Sequence, residues 1–142
     1  MAEVTSAEKQ QDSRIESGSG TILLAEDDPA ALVLLKELLE RARYKVITAA
    51  DGEEAVKKFV AHQDEIVLVV SDLIMPKKSG KRAYNEIREM NSGIKFIFLS
   101  GHSKEVIDRE GKLGDDVEII MKPVIPLDLL RRIGTILTDK ND

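Results

Sequence analysis

Residues 66–72 read Ile66-Val67-Leu68-Val69-Val70-Ser71-Asp72, an unbroken apolar run that stops on a hydroxyl and a carboxylate. A strand with one wet face alternates apolar and polar residues, because successive side chains point to opposite sides. A run apolar at every position is the pattern of a strand covered on both faces, as in a parallel sheet between two helical layers. Two more runs share this texture, within Thr21–Ala25 and Ile94–Leu99. Apolar stretches at Tyr44–Thr48 and Val117–Met121 bring the set to five.

Helical patterns fill the intervals. Asp28 precedes Pro29, which suits an N-cap followed by proline at the first helical position. Leu32, Leu35, Leu38, Leu39 and Ala42 then recur at steps of three and four. Ala55, Val56, Phe59 and Val60 form a second stripe, and Ala83, Ile87 and Met90 a third. A weaker pattern over 103–113 carries Val106, Ile107 and Leu113 and is interrupted by Gly111. Leu129, Leu130, Ile133 and Leu137 mark the last helix. Strand followed by helix, five times, predicts an α/β domain with a parallel sheet built from right-handed crossovers. The strand order expected by analogy with the common doubly wound fold is 2-1-3-4-5, a flavodoxin-like (β/α)5 arrangement.

The domain is expected to span residues 21–138. Residues 1–20 are polar, without periodicity, and end in Ser17-Gly18-Ser19-Gly20, which reads as a flexible tail or linker. Residues 139–142 read as a short C-terminal tail. Composition removes several function classes. A net charge of −5, from 21 basic and 26 acidic residues, is a poor match to nonspecific nucleic-acid binding. The absence of cysteine excludes a disulfide framework, a thiolate metal site and a cysteine nucleophile, and fits a cytoplasmic location. Two histidines make a multi-histidine metal site a poor prospect. No apolar run approaches the roughly 20 residues that cross a bilayer, so no membrane insertion is expected.

In an open parallel sheet, ligands bind beyond the carboxyl ends of the strands. The first strand exits in Glu26-Asp27-Asp28, the third in Ser71-Asp72, the fourth in Ser100-Gly101 and the fifth in Lys122-Pro123. Neighbouring strands lie about 4.8 Å apart, so the acidic groups of the first and third exits would share one crevice. Carboxylates gathered there repel, and either a proton or a cation must settle among them. An all-oxygen set favours Mg²⁺. Lys122 and Ser100 could grip phosphoryl oxygens, and Asp72 is a nucleophile able to form an acyl phosphate. Each motif alone has an ordinary structural reading as a cap or a turn. Their co-location at one end of the sheet, in order, favours chemistry.

Four segments, ILLAEDDP, VVSDLIMPKKSG, FIFLSGH and EIIMKP, resemble the response regulator receiver domain of two-component signalling, over about residues 21–138. The resemblance implies that Asp72 is the phosphoacceptor and that Glu26 and Asp27 hold Mg²⁺ together with Asp72. It implies that the backbone carbonyl of Ile74 completes the metal shell. It further implies that Ser100 is the hydroxyl switch residue and Lys122 the phosphoryl-binding lysine, followed by a cis proline at Pro123. The expected partners are a histidine kinase or a histidine phosphotransfer protein, and a downstream protein of unknown identity. The sequence departs from the family at Ile119, where an aromatic residue is often found. Output is therefore expected through backbone shifts after the fourth strand, read at segment 103–113, the fifth strand and the last helix.

On this reading the chain is a self-phosphorylating and self-dephosphorylating switch, not an enzyme, whether stand-alone or a module of a larger protein such as a hybrid sensor histidine kinase. Past Leu137 only five residues remain, so output through protein contacts is expected. A Mg²⁺-dependent phosphatase with an aspartyl nucleophile is an alternative, but that chemistry wants an acid two residues later, where Ile74 stands. A flavin carrier is disfavoured by the acidic first exit and by aromatic residues at only 4%. A phosphorylation-independent pseudo-receiver is disfavoured by the intact acid, serine and lysine set.

Overall fold

The computed structural model describes residues 20–101 and 117–138. Five parallel strands form one sheet: β1 (Thr21–Ala25), β2 (Lys45–Ala49), β3 (Ile66–Asp72), β4 (Lys95–Ser100) and β5 (Glu118–Met121). Their order is β2-β1-β3-β4-β5, as expected from the analogy. Four helices are described: α1 (Pro29–Arg41), α2 (Gly52–His62), α3 (Gly80–Met90) and α4 (Pro126–Thr138). The helical pattern expected over 103–113 lies outside the described residues, as do the tails at 1–19 and 139–142.

The sheet divides the core in two because alternate side chains face opposite ways. Leu23, Val69, Phe96 and Phe98 point toward α2 and α3, where Ala55, Phe59, Tyr84 and Ile87 meet them. Ile22, Leu24, Leu68, Val70, Ile97 and Leu99 point toward α1 and α4 and pack on Leu35, Leu39, Leu129 and Ile133. This two-sided cover is the physical reason β3 reads as a continuous apolar run. Val67 is its exception, half-exposed near the start of the strand.

Three of the four helix starts carry a local side-chain cap. The Asp28 side chain caps α1 by accepting from Ala30 N at 3.1 Å, with Pro29 in the first turn. Asp51 caps α2 by accepting from Glu54 N at 2.8 Å, and Glu54 reaches back to Ala50 N at 2.6 Å, a reciprocal arrangement close to a capping box. Ser79 caps α3 through Arg82 N at 3.2 Å.

Two stripe members differ from the sequence expectation. Val60 is half-exposed, because it lies one residue, about 100° around the helix, from Phe59, which faces the sheet. Met90 is the last residue of α3 and is also exposed. Tyr84, absent from the expected stripe, is buried edge-on against Phe96, with centroids 4.9 Å apart. Strand bounds move too: β3, expected over Ile66–Ser71, and β4, expected over Ile94–Leu99, run one residue further, onto Asp72 and Ser100.

Phe59→Ala should cost about 3–5 kcal/mol of folding free energy, and Val60→Ala under about 0.5 kcal/mol. Urea unfolding of both variants checks this; equal losses would contradict the assignment of the buried face.

Candidate functional site

The sheet's carboxyl edge assembles the site. Parallel register sets Ala25 beside Ser71, Asp72 beside Leu99, and Ser100 beside Met121. Residues just past or at these positions therefore emerge side by side. Asp72 and Ser100 are the last residues of their strands, so their backbones are held by the ladder itself. The next peptide stays pinned, with Leu73 N donating to Leu99 O at 3.0 Å. The Ser71 hydroxyl donates to the Asp72 carbonyl at 2.8 Å. Ser71 closed the opening sequence run but was given no role; the hydroxyl interrupting an apolar strand was the signal.

Glu26 and Asp72 are both buried, at 1% and 4% exposure. Asp27 is exposed, yet one oxygen from each of Glu26, Asp27 and Asp72 lies within 4.8 Å of the others. Lys122 enters from β5. Its Nζ donates to Glu26 Oε1 at 3.1 Å and stands 2.8 Å from Asp72 Oδ1. The second contact is a close ion pair to a buried carboxylate oxygen. Glu26 Oε2 also accepts from Asp28 N at 3.1 Å. The bond between Lys122 and Pro123 is cis.

The charges are unequal in consequence. Burial, reinforced by the adjacent Glu26 carboxylate, pushes the Asp72 carboxyl up to about 8, while Lys122 opposes the shift. Burial would raise Glu26 as well, but hydrogen bonds with Asp72, the Asp28 amide and Lys122 overcome it and hold that carboxyl below its usual range. Burial alone would lower Lys122, and its two carboxylate partners raise it instead. Two like charges this close share protons as a pair.

The donor set fits a hard divalent cation. Every candidate ligand is an oxygen, the three lie within 4.8 Å of one another, and two of the three residues are buried. Ser100 is buried at the exit of β4, and Ile74 stands half-exposed two residues after Asp72. The structure thus gathers Glu26, Asp27, Asp72 and Lys122 into one crevice and sets Ser100 on the same sheet edge. Sequence reasoning gave Glu26 a metal-binding role and missed its direct pairing with Lys122, which spans 96 residues of sequence.

Comparison with known proteins agrees with this geometry. The response regulator receiver domain family matches residues 22–134. The chain is 38% identical over 93 residues to sensor kinase CckA of Brucella abortus, spanning 66% of this chain and 10% of that protein. It is 34% identical over 117 residues to the alkaline phosphatase synthesis transcriptional regulatory protein PhoP of Bacillus subtilis, spanning 82% of this chain and 48% of that protein. The chain thus spans half or less of the length of these curated relatives. A receiver domain from Clostridium thermocellum superimposes with a TM-score of 0.71 at 30% identity, covering 82% of this chain and 92% of that one. A CheX-CheY-BeF3-Mg²⁺ complex from Borrelia burgdorferi gives 0.73 at 27% identity, covering 84% and 90%. Family match, sheet order and acidic pocket coincide, and the chain belongs to the response regulator receiver domain family of two-component systems.

Proposed function

We propose that this chain is a phosphoacceptor switch, with Asp72 taking a phosphoryl group from a phosphohistidine on a histidine kinase or a histidine phosphotransfer protein. One observation carries the reading: two buried carboxylates, Glu26 and Asp72, converge on a single ammonium group, Lys122, at the mouth of the sheet. Once Asp72 ionises, such a crevice holds more negative charge than one lysine compensates.

Glu26, Asp27, Asp72 and the Ile74 carbonyl would hold Mg²⁺. When bound, the cation supplies positive charge that favours the ionised Asp72 side chain and screens phosphoryl oxygens. The ionised Asp72 oxygen attacks phosphorus in line and forms the O–P bond. The P–N bond to the donor imidazole breaks, and its electron pair stays on nitrogen. Lys122, drawn from Glu26, and the Ser100 hydroxyl then bind phosphoryl oxygens. That shift at the exits of β4 and β5 biases a two-state equilibrium. Hydrolysis of the acyl phosphate resets it.

A groove of about 510 Å³ runs from Glu26 and Lys122 between α1 and the segment after β5. Leu34, Leu35, Leu38 and Val124 line it, and Leu34 is 66% exposed. The phosphodonor would dock along this groove, with Glu26 and Lys122 at its site end. Among the described residues no helix is long and apolar enough to cross a membrane. A cytoplasmic location is part of the same proposal.

Asp72→Asn should abolish the acid-stable, base-labile phosphate gained from acetyl phosphate with Mg²⁺; undiminished labelling would refute Asp72 as acceptor. Lys122→Ala should still take some label but lose most of the amide-shift response to it. Identical shifts in variant and parent would contradict that role.

The raised Asp72 group has a consequence for stability. The folded metal-free chain holds a proton on Asp72 that the unfolded chain releases near pH 4, so this contribution to stability should fall as pH rises from about 4 to about 8. Asp72→Asn or saturating Mg²⁺ should flatten the decline. Urea midpoints across that range test this; the same profile in parent and variant would contradict it.

A further inference from the structure

We infer that Gly52, in the first turn of α2, is a positioning residue for the segment that follows Asp72. The inference rests on the reading of Asp72 as phosphoacceptor and adds to it a contact from the neighbouring strand–helix unit.

The segment from Leu73 to Ser79 connects Asp72 to α3 and carries the Ile74 carbonyl. Its far end folds back on its start. Gly80 N donates to Leu73 O at 2.8 Å. A Cβ on Gly80 would collide with the carbonyl oxygen of Asp72 itself, well inside the 3.0 Å that real Cβ atoms essentially never cross. In the middle, Met75 is buried in the core, while Ile74 faces outward.

Gly52 braces this closed loop from outside. A Cβ there would collide with the Lys78 carbonyl oxygen and lie 2.7 Å from its carbonyl carbon. The obstacle is backbone, not the flexible end of a side chain. Gly52 does not have left-handed backbone, so space alone calls for glycine at this position. The flanking contacts run the same way. Asp51 Oδ2 lies 3.8 Å from Lys77 Nζ, and Lys77 adopts a left-handed φ of 67°. Lys78 N donates to Pro76 O at 2.7 Å, and Lys78 Nζ pairs with Glu86 at 2.8 Å.

Adding one methyl group at Gly52 therefore drives the Lys78 backbone away, and the loop it belongs to returns to Asp72 within two residues. A misplacement of about 1 Å at a reacting centre can cost about 100-fold. The residue acts through Lys78 and touches neither phosphoryl group nor cation.

The test is Mg²⁺ titration of the metal-free chain, followed by amide chemical shifts, with thermal stability measured beside it. Gly52→Ala should bind Mg²⁺ at least tenfold more weakly than the parent. Ile133→Ala, a core truncation on the opposite face, should lose at least as much stability and keep its affinity within twofold. Gly93→Ala, whose Cβ would meet only Asn91 Oδ1 at 3.7 Å, should change neither. A Gly52→Ala protein that binds Mg²⁺ within twofold of a binding parent overturns the inference. So does one that fails to fold, since the contact is then a packing requirement alone. A parent that takes no Mg²⁺ refutes the acceptor reading, and the inference with it.

Discussion

Two carboxylates shut away from water beside one ammonium group set the terms for this molecule. Removing an ionised carboxylate from water costs several kcal/mol even after relaxation, and a second one alongside adds repulsion. Glu26 and Asp72 bear both costs, and Lys122 offsets part of them. The remainder appears in the protonation of Asp72, whose carboxyl is pushed up to about 8 by burial and by Glu26. A group in that state is a poor nucleophile until more positive charge arrives. On the proposed reading, a cation bound there would favour the ionised side chain that is to take the phosphoryl group.

The fold exists to hold these groups together without letting them relax. Strand exits in a parallel sheet all face the same way, so four short segments far apart in sequence deliver their polar residues to one edge. The ladder continues through Asp72 and Ser100, so each backbone is fixed by its neighbouring strand. Helices on both faces exclude water from beneath. Glycines at 52 and 80 allow backbone to approach backbone around the loop that follows Asp72.

The sequence was most readable where burial acts on whole segments. The apolar run of β3 announced a two-sided sheet, and the Asp28-Pro29 pair announced the start of α1. Strand order came from analogy with a common fold, since periodicity carries no information about neighbours. The candidate site residues could be placed on one sheet edge because exits can be read one strand at a time. What could not be read were pairings across the fold: Lys122 with Glu26, Gly52 with Lys78, and Ser71 with the backbone of the following residue. Helix faces were blurred by one residue, as Val60 and Tyr84 show, because a stripe drawn from sequence does not say where the sheet ends. At Ile119 the expected departure from the family's aromatic pattern stands. Ile119 pairs in register with Phe98, and the aromatic rings on this face come from Tyr84, Phe96 and Phe98.

The central claim is that Asp72, a divalent cation and Lys122 cooperate on one tetrahedral anion. Beryllofluoride, which imitates a phosphoryl group on a carboxylate, tests this without a kinase. Fluorine and amide spectra recorded with and without Mg²⁺ should show a bound beryllofluoride only when the metal is present, with the largest amide shifts at Asp72, Ser100 and Lys122. Binding that is indifferent to Mg²⁺, or shifts that leave those three residues unmoved, would contradict the account.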